Sequence, residues 1–74
     1  MPRLPRLAPK QVINALKKVG FFVDHQTGSH VILYKDDQSS PVSIPYHNRD
    51  LKLGTLKNIL RQAEMDAQDL IQFL

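Results

Sequence analysis

A glycine turn between two β-rich runs constrains this chain more than any other feature of its sequence. Residues 21–26 and 29–35 are rich in aromatic and β-branched side chains, and Thr27 and Gly28 separate them. Two such runs around a glycine predict a β-hairpin. A chain of 74 residues has room for one small core, so the hairpin is expected to organise the whole domain.

The position of the turn predicts which side chains lie opposite one another. If Thr27 and Gly28 are the central residues, Gln26 pairs with Ser29 and His25 lies directly opposite His30, with the two Cβ atoms about 5 Å apart. Strict alternation then places both histidines on one face of the hairpin. The apolar residues expected to share that face are Phe21, Val23, Ile32 and Tyr34.

Helical patterns lie on both sides of the hairpin. Residues 9–19 predict a helix that begins with a proline, whose missing N–H costs nothing at the first helical position, and that ends before Gly20. Residues 54–63 predict a second helix with an apolar stripe. Asp66 and Asp69 resemble a capping box that opens a last short helix. The residues this helix is expected to bury are Leu70, Phe73 and Leu74.

The order of these elements predicts an α+β fold of the form α-β-β-β-α with a short C-terminal α. A third strand at residues 41–45 is bounded by prolines, which is typical of a sheet edge. Short connections predict a three-stranded antiparallel sheet, with the helices on one face. One domain is expected over residues 9–74, preceded by an N-terminal arm at residues 1–8 that Pro2 and Pro5 keep from being helical.

The composition excludes several kinds of protein. No cysteine is present, which excludes disulfides, cysteine metal ligands and a cysteine nucleophile, and is consistent with a reducing cytoplasm. No apolar run approaches the ~20 residues of a membrane span, and no signal peptide is apparent. No metal or small-molecule cofactor is expected, since no histidine spacing matches a zinc site.

The charge distribution favours a polyanionic partner. All ten lysine and arginine residues lie within residues 1–61, against four acidic residues there, while residues 62–74 carry only acidic charge. A basic body of this kind is typical of proteins that bind nucleic acid, although an ordinary solvated surface gives the same pattern. The candidate nucleic-acid contacts are Arg3, Arg6, Lys10, Lys52 and Lys57.

The predicted topology brings the three histidines together. In an antiparallel meander the hairpin turn, the end of the third strand and the starts of both long helices lie at one end of the sheet, which gathers His25, His30 and His47 there. Imidazole exchanges protons near pH 6.5, and RNA cleavage through the 2′-hydroxyl needs a base, an acid and a phosphate clamp, but no metal. His30 is the candidate base, with His47, His25 or a nearby basic side chain as acid or clamp.

Two other functions fit the same residues. A non-catalytic module that binds double-stranded RNA would share the element order and the basic second helix. A protein-interaction domain would use only the sheet edge or an apolar surface. Each of the three histidines, taken alone, is also compatible with a purely structural role.

Four motifs together resemble one known family. In chain order they are Gly20-Phe21, Gly28-Ser29-His30, Ile44-Pro45-Tyr46-His47, and the run from residue 53 to residue 63. Their order and spacing resemble the HicA, or YcfA-like, toxin family over about residues 9–73. The chain departs from the family pattern at Ala8, where members often carry a Ser/Thr-like cap, and at Glu64, where a glycine is common.

The resemblance implies a fold like that of double-stranded-RNA-binding domains and an endoribonuclease activity on mRNA. It implies that His30 is catalytic, that Gly28 and Ser29 are supporting residues, and that His47 has a supporting role. It further implies a HicB-type antitoxin that binds the toxin and masks its active surface, and a location in the cytoplasm.

Overall fold

The computed structural model describes residues 4–36 and 40–74, so Arg3 lies outside the described residues. The elements are α1 (Pro9–Val19), β1 (Phe22–Thr27), β2 (His30–Tyr34), β3 (Val42–Pro45), α2 (Leu53–Gln62) and α3 (Ala67–Gln72). The strands form one antiparallel sheet in the order β1-β2-β3. The predicted α+β fold and its element order are confirmed, with strand ends shifted by one or two residues.

The hairpin turn lies one residue further along the chain than predicted. Thr27 pairs with His30, so the two turn residues are Gly28 and Ser29. Gly28 has a φ of 52° and Ser29 has no positive φ, the pattern of a type II′ turn, which takes glycine at its first central position. The prediction that His25 lies opposite His30 is therefore wrong. His25 lies two residue pairs further along the hairpin, on the same face.

An irregularity in β1 changes which side chains share a face. The register shifts between Val23 and His25, as it does at a β-bulge, where one extra residue inverts the alternation. Val23 consequently pairs with Leu33 and shares its face, and Phe21 is buried before the strand begins. The prediction that Phe21 and Val23 share the histidine face is wrong, and Phe22 lies there instead.

The helices cover one face of the sheet and leave the other face open. Val31 and Leu33 on β2 are buried, whereas His30 on the opposite face is exposed. The largest fully buried apolar side chains of the described residues, apart from Pro9, are Val12, Leu16, Leu33, Val42, Ile44, Leu56, Ile59 and Leu70. Each one contributes about 1.5–3 kcal/mol by leaving water. The face that carries His30 is therefore free of the core.

The two edges of the sheet differ in what covers them. On β3, the backbone N–H of Ser43 donates to the side-chain oxygen of Gln62 at 3.0 Å, so α2 covers part of that edge. On the other side, β1 pairs with β2 alone among the described strands, and all six of its residues are exposed. Open edges of this kind are the usual place for a sheet to accept a partner strand.

Helix starts use side chains from within the first turn. The side-chain oxygen of Gln11 accepts a hydrogen bond from the backbone N–H of Ala8 at 2.8 Å, which satisfies a group at the start of α1 although Ala8 has no capping side chain. Asp66 and Asp69 form the predicted capping box of α3, with bonds of 2.8 Å and 3.3 Å. The prediction that Leu74 is buried is wrong, because it lies beyond the end of α3 and is 48% exposed.

Both long helices end in the same hydrogen-bonded motif, with different residues at its left-handed position. Gly20 follows α1 with a φ of 117°, and Glu64 follows α2 with a φ of 56°. After α2, the N–H of Met65 donates to the carbonyl of Leu60 at 2.9 Å, as in a Schellman motif. The glutamate therefore preserves the geometry that a glycine would give, at the cost of backbone strain.

Replacing Glu64 with glycine is expected to stabilise the protein. Glycine adopts a positive φ without strain, and this gain exceeds its larger entropy loss on folding, so we expect Glu64→Gly to raise the free energy of unfolding by about 0.5–1 kcal/mol. Glu64→Ala is the control, because it removes the same charge and keeps the strain. Urea denaturation would measure both variants, and equal stabilities for the two would contradict the explanation.

Candidate functional site

The hairpin turn is fastened to the end of β3 by backbone groups. The N–H of Tyr46 donates to the carbonyl of Ser29 at 2.6 Å, and His30 pairs with Pro45 across the β2–β3 ladder. These contacts do not depend on any side chain of the turn. They place the Gly-Ser-His motif beside the segment that carries His47.

The start of α1 reaches the same end of the molecule. A cavity of about 350 Å³ lies between the start of α1 and the segment that follows β3. The residues that line it are Ala8, Pro9, Lys10, Tyr46, His47 and Asn48, and we call it the Tyr46 cavity. Of the elements predicted to gather at one end, the end of β3 and the start of α1 meet at this cavity, which brings Lys10 and His47 together; His25, His30 and the start of α2 do not line it.

The rings of His30 and His25 differ in what they contact. His30 is exposed, and its ring makes no hydrogen bond to any residue of the described chain. The Nδ1 atom of His25 lies 2.7 Å from a carboxylate oxygen of Asp24, and both side chains are about half exposed. A carboxylate only accepts hydrogen bonds, so this contact requires a proton on Nδ1 of His25. Of these two rings, that of His30 has both nitrogens available to a substrate.

His47 is held as one particular tautomer. Its Nδ1 atom accepts a hydrogen bond from the backbone N–H of Arg49 at 3.2 Å. An imidazole nitrogen that accepts carries no proton, so the proton of the neutral ring lies on Nε2. His47 therefore presents an N–H donor rather than a base, which suits a group that contacts a phosphate oxygen.

A second basic group lies near the start of α2. Arg6 and Lys52 line one cavity of about 350 Å³ together with the acidic residue Asp50. The N–H of Leu51 donates to the carbonyl of Leu7 at 2.8 Å, which fixes residues before α1 to the connection before α2. Arg6 and Lys52 are thus brought together, as a pair separate from Lys10.

For two residues the structure and the sequence prediction differ: Lys57 is predicted to bind but is not linked to the site, and Tyr46 lies at the site but is not predicted. Lys57 is exposed on α2, and no contact in the described chain joins it to His30, so its role in binding stays a prediction. The sequence patterns give Tyr46 no role, although it lies between Pro45 and His47 in the third of the four family motifs. Tyr46 is 43% exposed. This exposure of a large aromatic side chain indicates a binding residue, and it is visible only in the tertiary structure.

The described residues hold neither a metal-ligand cluster nor a membrane-spanning helix. Within residues 4–36 and 40–74, no group of three or more histidine, cysteine or acidic side chains is placed to hold a metal ion. In the same residues no helix has the length and apolarity needed to span a bilayer.

These features define a class: a small α+β protein with a three-stranded antiparallel sheet, helices on one face, and an exposed histidine on the other face beside a glycine turn. Residues 9–65 match the family model described as HicA toxin of bacterial toxin-antitoxin. The chain therefore belongs to the HicA toxin family, whose members act in toxin–antitoxin pairs. A comparison with curated proteins gives no match.

Replacing Gly28 with alanine tests how far the turn depends on its backbone conformation. A Cβ atom at Gly28 would meet nothing within 4 Å, so the positive φ alone opposes the change. We expect Gly28→Ala to lower the free energy of unfolding by about 1 kcal/mol. Gly54→Ala is the matched control, since Gly54 lies in α2 with open space around it, and it should raise that free energy by about 0.4–1 kcal/mol. Destabilisation by both substitutions would contradict the explanation.

Proposed function

We propose that this chain is an endoribonuclease that cleaves mRNA, with His30 as the general base. The observation that supports this most directly is the exposed His30 ring, which no described residue engages, on a turn held by the backbone bond between Ser29 and Tyr46. A base must reach its substrate without losing a structural contact, and His30 meets that condition. Membership of a toxin family is consistent with the activity.

The reaction uses a nucleophile that RNA itself carries. His30 takes the proton of a ribose 2′-hydroxyl, and the 2′-oxygen attacks the adjacent phosphorus. The bond from phosphorus to the 5′-oxygen breaks, and a protonated basic side chain at the same end of the protein gives that oxygen a proton. The products are a 2′,3′-cyclic phosphate and a 5′-hydroxyl. No bond-making step requires a metal or another cofactor.

The neighbouring groups stabilise charge on the phosphate. The Nε2–H of His47 donates to a phosphate oxygen, and the ammonium group of Lys10 lies at the same cavity. Charge-assisted donors of this kind are among the strongest hydrogen bonds in proteins. Gly28 and Ser29 support the reaction by fixing the turn.

The phosphates outside the cleavage site would contact the remaining basic residues. Arg6 and Lys52 form one basic pair on the described chain, and Lys57 lies exposed on α2. These contacts position the RNA without reading its sequence. Arg3 was predicted from the sequence to contribute to the same binding.

A duplex-binding module without catalysis is the second candidate. The observation that favours it is the pair Lys57 and Arg61, which lie exposed one turn apart on α2, as expected of a helix that follows a duplex backbone. Such a module would bind duplex RNA in a salt-dependent way and leave single-stranded RNA intact. A domain that only binds protein would bind no duplex RNA and would also leave single-stranded RNA intact.

Replacing His30 separates these candidates. We expect His30→Ala to lower the rate of cleavage of single-stranded RNA by 100-fold or more, because the general base is lost. Gel analysis of a labelled RNA would measure it. His25→Ala is the matched control, since His25 lies on the same face and its ring is held by Asp24; we expect a change of less than about threefold, well below the effect of losing a general base. Equal cleavage by the wild-type chain and His30→Ala would rule out His30 as the base.

The partner is proposed to be a HicB-type antitoxin that covers the active surface in the cytoplasm. The support is family membership together with the open sheet face and the open β1 edge, which give a partner a place to bind. A protein seated there would block access of RNA to His30.

Expression in a bacterium tests the pairing. The chain alone should arrest growth, the His30→Ala variant should not, and co-expression of the antitoxin from the adjacent gene should restore growth of cells that carry the wild-type chain. Colony counts after induction would measure this. Growth arrest that the His30→Ala variant also causes would show that toxicity does not arise from the proposed cleavage.

A further inference from the structure

We infer that the Tyr46 cavity binds one nucleobase of single-stranded RNA, with the Tyr46 ring as the stacking surface. The inference rests on the proposed ribonuclease function and adds to it the conformation of the substrate and the residue that recognises it. It follows from the position, the size and the chemistry of the cavity.

The backbone of Tyr46 lies beside the hairpin turn that precedes the proposed base. The backbone of Tyr46 is bonded to Ser29 at 2.6 Å, and Ser29 directly precedes His30. This backbone bond keeps the segment that carries Tyr46 beside the turn when RNA binds. A nucleotide adjacent to the cleaved bond would therefore reach Tyr46 with its base.

The size suits a single base. The cavity measures about 350 Å³, near the lower limit of the range usual for small-molecule sites, about 300–1,000 Å³. A nucleobase held within a duplex is stacked and paired, and cannot enter a cavity of this size without leaving the helix. The geometry thus selects a base that is already free, as in single-stranded RNA.

The lining carries the groups that a nucleotide needs. Tyr46 is 43% exposed, so part of its side chain is accessible to a ligand, and all four bases stack on aromatic rings. Ala8 supplies apolar surface, and Asn48 offers an amide donor and acceptor to a base edge. Lys10 supplies the positive charge for the attached phosphate. This combination matches a nucleotide better than an uncharged apolar ligand.

A fluorescent base provides a direct test. The probe is a five-nucleotide RNA with one 2-aminopurine, bound to the full chain carrying His30→Ala so that it is not cleaved. We expect binding to quench the probe, because a base stacked on an aromatic ring loses fluorescence. In the same background, Tyr46→Ala should weaken binding about tenfold and abolish quenching, whereas Tyr46→Phe should stay within about twofold of the parent.

Two controls separate stacking from loss of structure. Phe22 is the matched control, because it is 50% exposed and lies at the end of β1 far from the turn; Phe22→Ala should leave affinity and quenching unchanged. Tyr46→Leu keeps apolar bulk without an aromatic ring, and it should fold, by circular dichroism, yet lose quenching. Undiminished quenching in a folded Tyr46→Leu chain would overturn the inference, as would equal affinity for a duplex of the same sequence.

The experiments distinguish a failure of the proposed base site from a failure of the proposed ribonuclease activity. If His30→Ala cleaves the probe as fast as the wild-type chain, His30 is not the general base. A DNA version of the probe, which has no 2′-hydroxyl and is not cleaved, then still tests whether a nucleobase stacks on Tyr46. If His30→Ala abolishes cleavage and Tyr46 has no effect on binding, the ribonuclease proposal stands and the base site does not.

Discussion

The hydrogen bond from the N–H of Tyr46 to the carbonyl of Ser29, at 2.6 Å, joins the parts of this protein on which its proposed chemistry depends. It extends the pairing of β2 and β3 past Pro45 and fixes the hairpin turn to the segment that leads towards α2. Ser29 and Tyr46 are far apart in the sequence, and the pairing of the strands is what brings them together. Because the bond uses only backbone groups, the side chains of His30 and Tyr46 stay available for the proposed RNA substrate.

The sheet divides structural and chemical roles between its two faces. Val31 and Leu33 are buried under the helices, while His30 between the turn and Val31 is exposed. Strand alternation produces this division without any special arrangement. A small domain can in this way keep a complete core and still present a histidine to a large substrate, for which a deep active-site cleft would require a larger protein.

The same backbone logic explains two departures from the family pattern. Ala8 offers no capping side chain, and Gln11 from the first turn of α1 accepts the N–H instead. Glu64 occupies a left-handed position usual for glycine, and the hydrogen bonds of the motif hold it there. Helix ends need their backbone groups satisfied, and different residues can do this at different energetic cost.

Local patterns in the sequence determined the element order, the α1 limits and the capping box of α3, because apolar periodicity, Gly20 and the pair Asp66 and Asp69 act within a few residues of chain. They also placed His30 beside a glycine turn. Only the tertiary structure decided the register of the hairpin, since the turn conformation of Gly28 and the irregularity in β1 depend on pairing between strands. It alone brought Tyr46, Lys10 and His47 to one cavity, because contacts between distant segments are set by how the helices pack on the sheet.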